Sequence, residues 1–176
     1  NCIGEIAIEG ERLDRASVAR RIQRGLALVP EDRQREGLVQ SLSVRDNLTL
    51  ASIGRFARFF NLDLAREAAA AREMIRRMTI KVSSPGIEVT ALSGGNQQKV
   101  VIGKALMTEP RVILLDEPTR GVDVGAKMEI FRAMRHLSDE GLAIIFATSD
   151  LKEVLGLSDR IIVMSKGRIT GEFSRG

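Results

Sequence analysis

Tryptophan and tyrosine are absent from the 176 residues, and six phenylalanines are the only aromatic side chains. Rows of ring platforms for stacking unpaired bases are therefore not on offer. The one cysteine, Cys2, has no partner for an internal disulfide and favours a reducing compartment. No run of about 18 apolar residues occurs, so no stretch is long enough to span a bilayer as a helix. Neither sign of charge dominates, since 27 basic residues meet 23 acidic ones for a formal net charge of +4. That balance fits a solvated mixed surface, and no long basic arm presents itself to nucleic acid. What is present is the material of a core. Hydrophobic residues at 44% and charged residues at 28% exclude disordered and collagen-like classes. The length suits one domain and is short for two.

Asn1 to Glu9 alternates apolar and polar residues, with Ile3, Ile6 and Ile8 reading as an edge strand that turns at Gly10. It has no charged lead and no cleavage site, so it is no signal peptide, and the chain is expected to begin inside a larger domain. Ser17 to Gly25 reads as a short helix, and Leu26 to Val29 as a short buried strand stopped by Pro30. A polar stretch, Glu31 to Glu36, follows. From Gly37 to Met107 the pattern turns helical. Ser43 caps one expected helix and Asp63 a second through Met78, with Glu73 and Arg77 spaced to pair. Lys81 to Ala91 is a loop, and Asn96 to Met107 a third helix. After Pro110, strands at Val112 to Leu115 and Leu142 to Ala147 alternate with helices at Ala126 to Glu140 and Leu151 to Leu155. Strands at Arg160 to Met164 and Arg168 to Phe173 flank a turn at Lys166-Gly167. Buried strands alternating with helices predict a parallel α/β sheet, with the helical middle as an inserted subdomain.

Two constellations carry chemistry. Val112-Ile113-Leu114-Leu115 delivers Asp116 and Glu117 to the carboxyl end of a strand, where open α/β sheets hold ligands. An Asp there can orient a hydrated Mg²⁺, and a neighbouring Glu can take a proton from water. Leu92-Ser93-Gly94-Gly95-Asn96-Gln97-Gln98 opens a helix with two glycines and a hydroxyl, a combination suited to phosphate oxygens and equally to an ordinary cap. Asp116 follows Ser93 by 23 residues, and Gly121-Val122-Asp123 comes directly after the carboxylates.

In that order the motifs resemble the nucleotide-binding domain of ATP-binding cassette (ABC) proteins. Leu92 to Gln98 is similar to the family signature, Val112 to Glu117 to its Walker B strand, and Gly121 to Asp123 to its D-loop. The resemblance implies a P-loop NTPase-like (RecA-type), mostly parallel α/β fold with an inserted helical subdomain. It makes residues 1–176 one partial cassette, with 1–36 and 108–176 as the α/β core and 37–107 as the helical signature subdomain. Asn96 to Val100, Val29 to Arg33 with Gly37-Leu38, and Ser43 to Leu48 are similar to the second of two fused cassettes in bacterial monosaccharide importers of the ribose, galactose, xylose and arabinose type. That similarity implies an ATP- and Mg²⁺-dependent ATPase on the cytoplasmic face of the inner membrane. Its partners would be a second cassette in the same polypeptide, two permease subunits and, indirectly, a periplasmic sugar-binding protein, with no nucleic acid expected. Cassettes of the family pair head to tail. Ser93, Gly94, Gly95, Asn96, Gln97 and Asp123 would then serve a partner's nucleotide. Asp116 and Glu31 would hold the metal, and Glu117 with Ser149 would act catalytically in the chain's own site.

The sequence departs from the family pattern in three places. The phosphate loop G-x-x-x-x-G-K-[ST] is absent from these residues; in the family it precedes the strand at Ile3 to Ile8. The Q-loop glutamine falls at Glu31, which when ionised only accepts hydrogen bonds. The switch histidine falls at Ser149, which cannot become cationic, and the only histidine, His136, reads as a surface residue of a helix. Phe56, Phe59 and Phe60, with Arg55 and Arg58 nearby, read either as a groove wall for a permease helix or as the subdomain's own small core. A soluble ABC ATPase acting on ribosomes or nucleic acid, and a non-catalytic degenerate module, are the competing readings. Residues 1–176 alone are expected to bind ATP poorly, and micromolar binding in a titration calorimeter would contradict this.

Overall fold

A computed structural model describes residues 4–58 and 61–175. A short antiparallel hairpin, β1 (Ala7–Ile8) with β2 (Glu11–Arg12), turns at Glu9 and Gly10, both at positive φ. Gly4 to Ile6 are not strand, and the Ile3 and Cys2 readings lie outside the described residues. Ser17 caps α1 (Val18–Gln23) by accepting from the Arg20 amide. β3 (Leu26–Val29) follows, and a π-helical turn at Arg33–Gly37 stands where the sequence shows only polar residues.

The helical middle holds α2 (Val44–Thr49), continued by a 3-10 stretch at Leu50–Arg55, and α3 (Leu64–Arg77). Their caps are those expected, with Ser43 accepting from the Asp46 amide and Asp63 from the Arg66 amide. Between the two helices, β4 (Ala57–Arg58) and β5 (Asn61–Leu62) form a small hairpin the sequence reading missed. Phe56 is buried in the core there, whereas Phe59 and Phe60 lie outside the described residues. The expected Glu73–Arg77 pair is not made. Glu73 pairs with Arg76, and Arg77 reaches across to Glu140.

α4 (Gly94–Leu106) is buried on nearly every side, as a helix at the centre of a core must be. It packs on α2, α3 and β3 at once. Gly103 permits the crossing, because a Cβ there would lie 2.8 Å from Leu48 Cδ2 and 3.1 Å from Met74 Cγ. β6 (Val112–Asp116), α5 (Val124–Asp139), β7 (Ala143–Ala147) and α6 (Leu151–Leu157) complete the α/β part. β8 (Arg160–Ser165) and β9 (Arg168–Ser174) form an antiparallel hairpin turning at Lys166 and Gly167, both at positive φ as a tight hairpin turn requires.

The sheet that matters has the order β3-β6-β7, all parallel, with Leu28, Leu114 and Ile145 in one register row. Ala27, Val29, Ile113 and Leu115 point the other way, into the buried core. The strands read as apolar on both faces, yet among the described residues only one face is covered. Leu28 and Ile145 are 62% and 60% exposed, because no described element packs over their row.

A buried charge joins the two parts. Lys99 of α4 is only 2% exposed; its ammonium donates to the Thr79 carbonyl at 2.9 Å and pairs with Glu129 of α5 at 2.5 Å. The hydrogen bonds from Lys99 and Lys81 hold the Glu129 carboxyl down at about 2, against 4.5 ordinarily. A depressed carboxyl stabilises the fold above its unfolded value, so this contribution fades as pH falls from 4.5 towards 2. Glu129→Gln is expected to cost about 2–3 kcal/mol at pH 7 in chemical denaturation, less than for a fully buried pair because Glu129 is partly exposed. At pH 2.5 the difference from the parent should be much smaller.

Candidate functional site

Parallel pairing beside β7 brings the carboxyl end of the central strand β6 to the end of the sheet, where Asp116 lies opposite Ala147. The chain then turns sharply. Glu117 adopts φ 44°, a left-handed conformation that non-glycine residues adopt at a cost of about 1–3 kcal/mol and that clusters at functional sites. Its amide donates to the Ala147 carbonyl at 2.9 Å, which fixes the turn to the end of β7. Its carboxylate is then held by the next residues of that loop. Oε1 accepts from the Ser149 amide at 2.8 Å, and Oε2 lies 3.4 Å from the Thr148 hydroxyl. Ser149 therefore acts on Glu117 through its backbone, and its side chain is exposed. Asp116 is also exposed and makes no side-chain hydrogen bond or ion pair among the described residues.

Behind Glu117 lies a polar knot that sequence reasoning missed. Glu153 of α6 is 4% exposed, and its carboxylate accepts from Thr119 Oγ1 at 2.6 Å and Thr148 Oγ1 at 3.0 Å. The Lys127 ammonium lies 2.6 Å from Glu153 and 3.3 Å from Asp150. Its hydrogen bond to Glu153, with that to Asp150 beside it, raises the lysine above its ordinary range. The Asp150 carboxyl is lowered by the Lys152 amide and then by Lys127. Thr119, Lys127, Ser149 and Glu153 line the same depression as Glu117. Only the adjacency of Thr148 to Ser149 hinted at this arrangement.

The second locus is the start of α4. Ser93 stands at the cap position without capping, since its Oγ accepts from Asn96 Nδ2 at 3.0 Å, so the hydroxyl proton is left to donate outward. Asn96 also accepts from the Lys81 amide at 2.9 Å. Gln97 is buried and donates to the Val89 carbonyl at 3.2 Å, so its amide is engaged within the chain. The glycines have internal reasons to be glycine. A Cβ on Gly95 would lie 2.3 Å from the Ala126 Cβ, and one on Gly94 would lie 2.8 Å from the Arg33 guanidinium. Asp123 caps α5, accepting from the Ala126 amide at 2.9 Å. Ala126 thus joins the α4 start to the Asp123 turn. Glu31, offered above as a metal ligand, pairs with Arg120 instead of standing unpaired.

These residues fit a nucleotide and its metal on their donor chemistry. The unpaired Asp116 carboxylate is a hard oxygen ligand at the end of the sheet. No three His, Cys, Asp or Glu side chains among the described residues form a metal cage. One or two carboxylates with phosphates and waters is the usual way Mg²⁺ is held. The first turn of α4 carries amides with no partner inside the helix, beside a hydroxyl able to donate.

A profile of the ABC transporter family matches residues 2–120. The xylose import ATP-binding protein XylG of Moorella thermoacetica is 49% identical over 98% of this chain and 34% of its own length. The XylG of Pseudomonas syringae pv. tomato is 46% identical over 97% of this chain and 32% of its own length. The ribose import ATP-binding protein RbsA 2 of Burkholderia pseudomallei is 47% identical over 96% and 33%. The dimeric ATP-binding cassette MJ0796, in a post-hydrolysis state bound to ADP and Pi, matches with a TM-score of 0.82 at 23% identity, over 99% of this chain and 75% of that one. A nucleotide-free cassette from an ABC transporter matches at 0.81 and 24% identity, over 98% and 70%. The chain belongs to the ABC transporter family and has the P-loop NTPase-like fold of its cassettes. It spans about a third of the length of the curated relatives it matches.

Because Ser149 serves Glu117 through its amide, Ser149→Ala should shift stability by less than about 0.5 kcal/mol. Thr148→Val leaves the buried Glu153 carboxylate short of a donor and should cost about 1–3 kcal/mol. Equilibrium denaturation of both variants checks the contrast.

Proposed function

We propose that this chain is part of the ATP-hydrolysing subunit of a monosaccharide importer, working on the cytoplasmic face of the bacterial inner membrane. The observation that carries the reading is the Glu117 carboxylate, aimed from the end of β6 and held there by the Ser149 amide. Identity of 46–49% to xylose and ribose import ATP-binding proteins over almost the whole chain supports the sugar-import assignment.

In this reading Glu117 accepts a proton from the attacking water. Asp116, with Glu31 if Arg120 releases it, holds Mg²⁺, which when bound offsets the phosphate charge. Ser93, Gly94, Gly95, Asn96 and Asp123 lie at the surface that meets another cassette's nucleotide. Gln97 contributes there by fixing the loop at Val89 rather than by a side-chain contact. The two cassettes close head to tail, so the chain serves one site with Glu117 and the other with the start of α4. Residues 1–36 with 108–176 form the α/β core that carries Glu117. Residues 37–107 form the helical subdomain that carries Ser93 and faces the two permease subunits, to which a periplasmic binding protein delivers the sugar.

In the assembled importer, Glu117→Gln is expected to lower steady-state ATP turnover at least about 100-fold at its own site, the usual worth of a positioned base. Ser93→Arg should abolish sugar uptake, whereas Ser149→Ala should retain most of it. Equal losses from the last two, in a vesicle uptake assay, would contradict the division of labour.

A further inference from the structure

The polar stretch after β3 is fastened at both ends. Asp32 accepts from the Gln34 and Arg35 amides at 3.0 and 3.1 Å, which starts the π-helical turn Arg33–Gly37. At the far end the Lys104 ammonium of α4 donates to the Gly37 carbonyl. A Cβ on Gly37 would lie 3.0 Å from Val101, so the turn sits hard against α4. At the near end Glu31 pairs with Arg120. Arg33 crosses the same gap with its fork, donating from Nη1 to the Arg120 carbonyl at 2.8 Å and from Nη2 to the Gly121 carbonyl at 3.3 Å. Its Nε is buried without a hydrogen-bond partner, so among the described residues the guanidinium is held by those two carbonyls. The same Nη2 lies 2.8 Å from where a Cβ of Gly94 would be, and the Gly121 carbonyl lies 3.2 Å from it.

One planar cation is thus wedged between the start of α4, the turn at Gly121 and the loop of Glu31. A guanidinium can donate to two successive carbonyls at a fixed angle, and a lysine ammonium is a point charge that cannot reproduce the fork. From this geometry we infer that Arg33 is a positioning residue. It sets the Gly94 end of α4 and the Gly121 turn against each other and ties both to the loop of Glu31. The consequence rests on the functional reading above. The two surfaces offered to a partner's nucleotide, Ser93–Gly95 and Asp123, keep their mutual geometry through Arg33, and a shift of the Glu31 loop in the chain's own site is passed to them through the same side chain.

The test uses Arg33→Met and Arg33→Lys in the intact importer polypeptide, assembled with its permease, with Glu117→Gln as the reference. Amide hydrogen exchange is expected to quicken at residues 119–123 and 93–97 in both Arg33 variants, with β6 unchanged. ATP turnover should fall about tenfold with a smaller change in KM, the worth of one charge-assisted fork, and lysine should not restore it. A further arm places Gly94→Ala in the parent and in Arg33→Lys. Since the added methyl meets the guanidinium, the double variant should be no less stable than Gly94→Ala alone, where independent effects would add. Unchanged exchange at both segments, or an additive pair, would overturn the inference. Should Glu117→Gln leave turnover intact, the ATPase reading itself fails; the exchange and stability arms would still decide the role of Arg33.

Discussion

Parallel pairing of β6 between β3 and β7 is the constraint on which the rest depends. It brings Asp116 to the end of the sheet opposite Ala147 and lets the Glu117 amide bond the Ala147 carbonyl. The strained turn at Glu117 then aims a carboxylate at the next loop instead of back into the core. The Ser149 amide receives it, and Glu153, Thr119 and Lys127 hold that loop from behind. Backbone strain of this kind persists only where the surroundings over-determine it, and here residues 147–149 bind Glu117 at both its amide and its carboxylate. A carboxylate held by a backbone amide does not depend on the side chain of the residue that donates, so the serine at 149 leaves Glu117 in place.

α4 makes the second constraint. It is the core of the helical part, and at its start only the cap residue Ser93 is exposed. Gly103 lets it cross α2 and α3, Gly95 lets it meet α5 at Ala126, and Lys99 ties it to Glu129. The start of α4 therefore cannot shift without straining α5, whose cap Asp123 sits on the loop from Glu117. Both candidate loci share the segment 117–126, one at each end.

The sequence made the strands and helices legible because their signals are local. Leu26 to Val29 is the strand as read, Ser43 and Asp63 cap as read, and Lys166-Gly167 turns a hairpin as read. The carboxylates after β6 and the glycine-opened helix were likewise visible. What stayed hidden depends on partners far along the chain. The Arg33 guanidinium finds the carbonyls of residues 120 and 121, and Glu153 finds Thr119, only in the fold. The glycines at 94 and 95 looked like a phosphate cradle, yet a guanidinium and an alanine methyl already demand them. Arg77 left its helical neighbour for Glu140 because a cross-helix partner was within reach. The strands looked buried on both sides because an apolar run cannot say which face is covered.

In the proposed function two loci of one chain face two different nucleotides. Its most direct test is a structure of the intact importer with Glu117→Gln and ATP-Mg²⁺ bound. One triphosphate is expected within about 3 Å of the side chain at 117 or bridged to it by one water, and a second against the Ser93 hydroxyl and the first turn of α4. A structure in which a single nucleotide touches both loci, or in which residue 117 lies away from every nucleotide, would contradict it.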